Sequence, residues 1–539
     1  MESLQPRIYR PKAPYNDRIE WADNRLPSTG ALDGREVALE RDDGRAVSYS
    51  FAAKTVSWYE LDGTSALEAP YDAVELREGV FSVDILHPAS SAGSSTRVAT
   101  SLALHMQTGG ALIVRNTVRL GAHTDFRQLI HSCAVAGSGG SRPEMSAELV
   151  GRRAYAEYTK GGAAEHLYLN PRRLGTQALG DSDYASAKMD DSTTWKLDED
   201  LFVLTWVQEW NPVGAVLLMD FSGLRNAGVF MGGDDEGFFH FVVGAHLAVL
   251  GQTSYPPGRE PAGLDTHPTS ISLQPRFNRP RAPYGQRFEW TDNRLPRTDA
   301  LAGREISLVR DDGLTVTFVF GVTTVRWQEP GEGSTVEAPY DAVELRDHVL
   351  SVDFQHPELA GGWSTRVATS LALNTQTGAA LLVRNTVTLA GEGDLRQDVY
   401  PCTIAGSGAS PPTLTGELVG RRAYAEYSDA TAMEHVYINS RRFGAQPLGK
   451  VDAAVSDICD STTWKLGEEL YVLTWVEEWD PTGAVLLMDF AGLRNAGVFM
   501  GRDDGGFFRF VCGARLVLLG ETDYPPGYEP EGFRSVSAG

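Results

Sequence analysis

The polar residues most capable of chemistry lie in one short segment that occurs twice in the chain. The segment reads Glu-His-Leu-Tyr-Leu-Asn at residues 165–170 and Glu-His-Val-Tyr-Ile-Asn at residues 434–439. Successive side chains of a β-strand point to opposite faces, so His166 and Tyr168 share one face and Glu165 lies on the other. A histidine, a phenol and a carboxylate inside one barrel could carry out general acid–base catalysis on a small acidic or phenolic substrate.

From this pattern we predict two equivalent sets of catalytic residues. The histidine would act as acid or base, the tyrosine as a phenol donor and a glutamate as the carboxylate partner. The alternative is a structural hairpin whose polar face meets water. The predicted catalytic residues are His166, Tyr168, Glu165, Glu157, His435, Tyr437, Glu434 and Glu426.

Arginine and aromatic residues near these segments are candidates for binding a substrate. An arginine on the preceding strand could anchor a substrate carboxylate. Buried tryptophan is usually part of a core, so only one or two per barrel would line a ligand cavity. The predicted substrate-binding residues are Arg153, Tyr155, Trp195, Trp206, Arg422, Tyr424, Trp464 and Trp475.

The elements that must position these residues are predicted to be short antiparallel strands. Apolar and polar residues alternate in segments such as 35–40 and 46–51, and the Asp42-Asp43-Gly44 sequence between them is typical of a hairpin turn. No ten-residue stretch keeps a helical period. The sequence therefore predicts an all-β protein built from small up-and-down barrels, each wide enough for one small ligand.

The chain is a gapless duplication with an offset of 269 residues. The sequence EAPYDAVELR begins at Glu68 and again at Glu337, and ELVGRRAYAEY begins at Glu148 and again at Glu417. A fainter similarity divides each copy once more. We therefore predict four modules in the order A-B-A′-B′, at residues 1–130, 131–265, 266–399 and 400–539.

Composition excludes several classes of partner. The chain has 539 residues, with 48 Lys and Arg against 71 Asp and Glu, and its formal net charge is −23. Phosphate groups and anionic lipids require basic surfaces, so we predict neither a nucleic-acid nor a membrane partner. The start of the chain lacks the apolar segment of a secretory signal. Four cysteines are too few for a disulfide framework, which favours the cytoplasm.

Motifs for common cofactors are missing from the sequence. It contains neither a P-loop nor a Gly-x-Gly-x-x-Gly segment after a strand, so no dedicated nucleotide site is predicted. It also lacks His-Glu-x-x-His, Cys-x-x-Cys and the Gly-x-Ser-x-Gly elbow. We expect no cofactor and no metal. The partner we expect is a small hydrophobic or aromatic ligand.

Three motifs together resemble the MoaF family, whose members are labelled molybdenum cofactor biosynthesis protein F. The motifs are EHLYLNPRR at 165–173, DSTTWKL at 191–197 and LFVLTW at 201–206, and they recur in the second copy. The resemblance implies lipocalin-like (calycin) barrels, a fold shared with phenolic acid decarboxylases. It also implies that each half is a whole family member, so that the chain is a pseudo-dimer, monomeric in itself.

Three functions are compatible with these observations. The first is a cofactor-independent lyase, isomerase or cyclase acting on a small aromatic or hydrophobic metabolite in bacterial secondary metabolism. The second is a carrier that binds such a ligand without converting it. The third is an accessory protein of molybdenum cofactor biosynthesis. A buried histidine with a shifted pKa favours the enzyme, an apolar cavity favours the carrier, and a positively lined pocket of pterin size favours the accessory protein.

Overall fold

A computed structural model describes sixteen segments of the chain, which are residues 2–4, 22–59, 66–88, 95–121, 125–179, 187–208, 212–234, 237–261, 270–273, 289–328, 335–357, 364–390, 394–449, 456–477, 481–503 and 506–530. All regular elements in these segments are β-strands. A search of the same segments for a helix long and apolar enough to cross a bilayer found none.

The strands of the first half form two barrels. Barrel A consists of β2 Glu36–Arg41, β3 Ala46–Phe51, β4 Thr55–Tyr59, β5 Ala66–Arg77, β6 Val80–Leu86, β7 Thr96–His105, β8 Gly110–Arg119 and β9 Asp125–Val135. Barrel B consists of β11 Arg152–Thr159, β12 Gly162–Asn170, β13 Arg173–Leu179, β14 Lys188–Asp198, β15 Leu201–Gln208, β16 Val213–Asp220, β17 Arg225–Asp234 and β18 Gly237–Gln252, with the short β10 Glu144–Met145 paired to β14.

The second half repeats this arrangement. Barrel A′ consists of β20 Glu305–Arg310, β21 Thr315–Phe320, β22 Thr324–Gln328, β23 Thr335–Arg346, β24 Val349–Gln355, β25 Thr365–Asn374, β26 Ala379–Thr388 and β27 Asp394–Ile404. Barrel B′ consists of β29 Arg421–Glu426, β30 Ala432–Asn439, β31 Arg442–Leu448, β32 Asp457–Gly467, β33 Leu470–Val476, β34 Thr482–Asp489, β35 Arg494–Asp503 and β36 Gly506–Glu521, with β28 Thr413–Leu414 paired to β32.

Each barrel is a closed ring of eight antiparallel strands. Pairing between β8 and β9 closes barrel A, and pairing between β14 and β15 closes barrel B. Closure leaves each barrel without an open edge strand. The prediction of four small antiparallel barrels in two tandem halves is confirmed, whereas their assignment to the calycins stays a prediction.

Local turn chemistry and the predicted module boundaries can be checked against these strands. The Asp42-Asp43-Gly44 turn joins β2 to β3, and Gly44 has the positive φ of +79° that glycine adopts without strain. The boundaries predicted at 130/131 and 399/400 fall inside β9 and β27. Barrel A therefore continues to Val135 and barrel A′ to Ile404.

The two halves exchange short strands near their amino-terminal ends. Strand β1, Glu2–Leu4, pairs with β27 of barrel A′, and strand β19, Ser270–Leu273, pairs with β9 of barrel A. Glu2 lies opposite Val399 and Ile271 opposite Ile130, so the two pairings are equivalent. The exchanged strands tie each A-type barrel to the other half of the chain.

Apolar packing joins the barrels within and between the halves. Val114 and Phe126 of barrel A belong to one buried cluster with Trp195 and Val203 of barrel B. An equivalent cluster joins A′ to B′. Barrel B contacts barrel B′ through a smaller buried patch of Leu167, Leu169, Ala187, Met189, Val436, Ile438 and Ile458. The B-type barrels therefore form the centre of the molecule.

Candidate functional site

Strand alternation separates the predicted catalytic residues of barrel B. His166 and Tyr168 point into the lumen, where the His166 ring lies 5.9 Å from Trp206, centroid to centroid. Glu165 is fully buried on the other face of β12 and points towards the second half. The structure thus brings His166, Tyr168 and Trp206 together, but it does not bring the carboxylate to the histidine.

Burial determines the protonation of the lumen residues. Desolvation lowers the pKa of His166 to about 4 and that of His435 to about 3. Both imidazoles are therefore neutral at pH 7. The Nδ1 atom of each histidine and the hydroxyls of Tyr168 and Tyr437 are buried without a hydrogen-bond partner in the described part of the chain. Such atoms require an explanation, because a buried unpaired polar atom costs stability.

The carboxylate of Glu165 lies at the centre of a buried network that spans both halves. Arg153 Nε donates to Glu165 Oε1 at 2.6 Å, and Gln177 Nε2 donates to Glu165 Oε2 at 2.5 Å. The Tyr524 hydroxyl, from the carboxyl-terminal segment of the second half, donates to the same carboxylate at 3.1 Å. We call Arg153, Glu165, Gln177 and Tyr524 the first clasp.

The second clasp consists of the equivalent residues of the other half. Arg422 Nε donates to Glu434 Oε1 at 2.6 Å, and Gln446 Nε2 donates to Glu434 Oε2 at 2.5 Å. The Tyr255 hydroxyl, from the carboxyl-terminal segment of the first half, donates to Glu434 at 2.9 Å. The two clasps are cross-linked, since Gln177 Oε1 and Gln446 Oε1 each accept a hydrogen bond from an asparagine of the other half at 3.2 Å.

Most other predicted site residues also lie at contacts between barrels. Tyr155 stacks on Tyr528 at 5.3 Å, and the Tyr528 hydroxyl donates to Glu157. Glu426 pairs with Arg259. Three more residues are buried in apolar clusters: Tyr424 in a small cluster beside the second clasp, Trp195 between A and B, and Trp464 between A′ and B′. Trp475 contributes to the lumen of B′ together with His435 and Tyr437.

A cavity that the sequence analysis missed lies at one end of barrel A. It encloses about 210 Å³, space for roughly seven water molecules at about 30 Å³ each. Among the described residues that line it, five are basic and none is an aspartate or glutamate; the five are Arg41, Arg45, His87, Arg115 and His131. Aromatic rings of Tyr49, Trp58 and Tyr59 complete the wall. The arrangement suits a flat ligand with a negative charge.

Hydrogen bonds fix two of the polar residues in this cavity. Arg41 Nη2 lies 2.7 Å from His131 Nε2 and 2.6 Å from Asp43 Oδ2. A guanidinium group only donates, so Nε2 accepts, and the imidazole proton lies on Nδ1, 2.9 Å from Asp42 Oδ1. His131 is therefore held as a neutral tautomer, and Arg41 is held in place before any ligand binds.

The equivalent end of barrel A′ is almost closed. Its cavity encloses about 30 Å³, roughly one water molecule. Tyr400 occupies the position of His131, and its ring lies 3.6 Å from the guanidinium carbon of Arg310. Asp398 occupies the position of Leu129. Among the differences between the two copies, Tyr400 fills this end of the barrel and Asp398 adds a carboxylate at its edge.

Strand periodicity contained a signal for this cavity. Arg41 continues the inward alternation of Val37 and Leu39 in β2, and Arg115 continues that of Ala111 and Ile113 in β8. His87 and His131 follow the inward residues of β6 and β9 in the same way. A basic residue at an inward position of four different strands indicates a polar barrel end, but only the fold places the four together.

The described part of the chain offers no cluster of metal ligands. Within the described segments, no group of three or more histidine, cysteine, aspartate or glutamate residues is arranged to hold a metal ion. Neither the cavity of barrel A nor the clasps provides such a group. The chemistry available at the cavity is therefore described by its guanidinium, imidazole, hydroxyl and aromatic groups.

Comparisons with known proteins extend these observations. The family model for the MoaF N-terminal domain matches residues 20–119 and 285–388, and that for the MoaF C-terminal domain matches residues 143–253 and 412–522. These matches cover well over half of the chain. A protein from Klebsiella aerogenes called "Protein MoaF" is 29% identical over 201 residues, an alignment that covers 34% of this chain and 75% of the relative. The A-type barrels correspond to the first family model and the B-type barrels to the second.

Proposed function

The chain belongs to the MoaF family in both of its halves, and from this premise we propose that it is a small-molecule binding protein of molybdenum cofactor metabolism. Its binding site is the cavity of barrel A. The family name supports the metabolic setting, and the cavity supports a binding role. The proposal corresponds to the accessory-protein alternative of the sequence analysis.

The single observation that carries the proposal is the basic lining of the barrel A cavity. A chain with a net charge of −23 contributes three arginines and two histidines to this lining. A positively lined pocket favours an accessory protein over an apolar carrier. The acidic composition of the chain did not predict such a pocket, and the basic lining of this cavity supports one.

A second candidate function is the cofactor-independent lyase, isomerase or cyclase reaction in the B-type barrels. Two observations favour it: burial lowers the pKa of His166 to about 4, and the Nδ1 of His166 and the hydroxyl of Tyr168 have no hydrogen-bond partner among the described residues. Two observations weigh against it. Glu165 points away from His166 and is held in the first clasp, and the lumen of barrel B is filled by apolar and aromatic side chains.

The proposed compartment is the cytoplasm, as the low cysteine content predicted. All four cysteines are free and buried, and burial raises the pKa of the Cys133 thiol to about 12. A buried thiol with a raised pKa is a poor nucleophile, so these cysteines act as small apolar side chains. Their number and state support a reducing compartment.

Native mass spectrometry of the full chain purified from its own host tests the proposal. We expect a bound small molecule on the wild-type chain that is absent from His131→Tyr, because the tyrosine fills the cavity as Tyr400 does in barrel A′. Tyr400→Phe is the matched control and should retain the ligand. A bound mass that persists in His131→Tyr would place the ligand elsewhere and overturn the proposal.

The released molecule also tests the metabolic setting. Fragmentation that identifies a pterin would support molybdenum cofactor metabolism. A ligand of another class that is lost from His131→Tyr would leave the binding role in place and overturn that setting. For the second candidate, turnover of the released ligand by fresh wild-type chain but not by His166→Ala would favour the enzyme.

A further inference from the structure

We propose that barrel A selects its ligand by an anionic group, a carboxylate or a phosphate, attached to a flat ring, and that barrel A′ has lost this ability. The inference rests on the proposed function, because it names the class of ligand that the same cavity takes. It leads to an expected stoichiometry of one ligand per chain despite the duplication.

The charges at the cavity favour an anion. Asp42 and Asp43 lie beside His131 and Arg41, and they offset the positive charge of Arg41, so the net positive charge must come from other residues. Arg115, which enters from β8, and Arg45, which lies exposed in the β2–β3 turn, add two guanidinium groups, and no carboxylate belongs to the described residues of the lining. An ionised ligand group would be bound by charge-assisted hydrogen bonds, which are stronger than neutral ones.

Arg41 is already held in place at this end of the barrel. Its side chain is only 11% exposed. Contacts with His131 and Asp43 already fix the guanidinium, so binding an anion there would require little reordering.

The aromatic wall favours a ring on the same ligand. The Trp58 ring lies 4.7 Å from the ring of His87, and His87 Nε2 lies 2.9 Å from the Thr100 hydroxyl. Trp58 is only 4% exposed, whereas Tyr59 and Leu129 at the rim are 61% and 40% exposed. A flat ligand could stack against the buried aromatic wall, while the exposed apolar rim covers its outer edge.

Barrel A′ keeps two of the three arginines and loses the space, and Leu314 stands at the position of Arg45. Arg310 and Arg384 occupy the positions of Arg41 and Arg115, but the Tyr400 ring stacks under Arg310 and leaves about 30 Å³. Asp398 also brings a carboxylate close to this end of the barrel, 2.8 Å from Arg396. The second copy thus retains two guanidinium groups without the volume for a ring.

Three probes of one size test the inference on the full-length chain by isothermal titration: benzoate, phenyl phosphate and benzamide. Benzamide is a neutral analogue of benzoate with nearly the same shape. We expect the wild-type chain to bind one molecule of benzoate or phenyl phosphate at least tenfold more tightly than benzamide. The preference for the anions should fall as the salt concentration rises.

Variants at equivalent positions of the two halves sharpen the test. Arg115→Met should remove the preference for anions, Arg115→Lys should restore part of it, and Arg384→Met should leave it unchanged. Melting temperatures close to that of the wild type will show that the variants fold. Equal affinity for all three probes, an unaltered preference in Arg115→Met, or two sites per chain would each overturn the inference.

The outcomes also distinguish the inference from the proposed function. Equal binding of the three probes that is abolished by His131→Tyr would leave barrel A as the binding site and reject only anion selection. Binding that survives His131→Tyr would reject both, whereas no binding of any probe would reject the inference alone. A stronger response to phenyl phosphate than to benzoate would identify a phosphate ligand, and the reverse a carboxylate.

Discussion

The two B-type barrels keep identical polar clasps where they meet, although the apolar patch between them varies, whereas the two A-type barrels differ at their ligand end. Every residue of the first clasp has an identical counterpart in the second. By contrast, the cavity of barrel A shrinks from about 210 Å³ to about 30 Å³ in barrel A′. The same duplication has thus had two different outcomes within one chain.

The difference has a physical origin in what each site contacts. Each clasp takes a tyrosine from the other half, and the amides of Gln177 and Gln446 are tied to asparagines across the interface. A change in one clasp therefore disturbs the other. The described residues that line the cavity of barrel A all belong to barrel A, so one copy can change without disturbing the other.

The strongest test of this symmetry is removal of the clasp carboxylates. Glu165→Ala and Glu434→Ala should each destabilise the chain by about 3–5 kcal/mol, because each leaves a buried arginine without its partner. Urea unfolding of the full chain measures the loss. We expect the two values to agree closely.

The matched control for the clasps is an exposed ion pair. Glu148 lies 2.6 Å from Lys196 with more than half of its side chain exposed, 54%, and Glu148→Ala should cost about 0–1 kcal/mol. If Glu165→Ala and Glu434→Ala lowered the free energy of unfolding by strongly unequal amounts, the two clasps would not be energetically equivalent.

The next effect in size is the acid sensitivity of the two lumen histidines. The pKa of His166 is about 4 in the folded chain and 6.5 ordinarily. The unfolded chain therefore binds the proton first, and stability falls as the pH drops from 6.5 towards 4, by about 3 kcal/mol for this residue. His166→Met and His435→Met should each flatten the acid limb of the unfolding free energy against pH.

The readout for the histidines is the slope of that limb, which a change in packing alone would not alter. Tyr168→Phe, which leaves the imidazole in place, is the control and should keep the slope. An acid limb that is unchanged in both histidine variants would show that these residues are not the buried neutral groups described.

The smallest expected effect concerns an ion pair that differs between the halves. His240 of barrel B lies 2.8 Å from Asp84 of barrel A, and Arg509 pairs with Asp353 at the equivalent place. Burial alone would lower the pKa of His240, but the hydrogen bond and charge of Asp84 outweigh it and raise the pKa above 6.5. The pair therefore stabilises the chain fully below pH 6.5 and progressively less as the pH rises through the raised pKa.

Exchanging the two cations tests this difference. His240→Arg should remove the loss of stability that follows deprotonation of His240 as the pH rises. Arg509→His should double that loss. Only the pH-dependent part of the stabilisation by the pair is exchanged. The shift in melting temperature should therefore be on the order of 1–2 °C, since 1 kcal/mol moves a unit of about 150–250 residues by about 2–4 °C. If stability fell equally with rising pH in the wild type and in both variants, the ion pair assigned to His240 and Asp84 would be wrong.

The sequence predicted the duplication, the all-β class and the closed barrels because their signals are local. Alternation and the Asp-Gly turn act within a few residues. Alternation also separated His166 from Glu165. It did not show which face was the lumen, because the apolar Leu167 and Leu169, which resemble inward residues, cover barrel B′ instead. That choice depends on a partner surface 269 residues away.

The cavity could not be predicted for a related reason. Its cationic lining comes from different strands, and Arg41 and His131 are 90 residues apart in the chain. Each residue alone is compatible with an exposed strand position. Only closure of the barrel, together with the volume of neighbouring side chains, distinguishes the open end of barrel A from the filled end of barrel A′.

The exchanged strands and tyrosines have a consequence for how the molecule forms. In two separate chains, such an exchange would be a second-order reaction that slows on dilution. Here both partners lie on one polypeptide, so each half meets the other at a fixed effective concentration. The intertwined state then forms in a first-order step, whose yield does not depend on how much of the chain a cell contains.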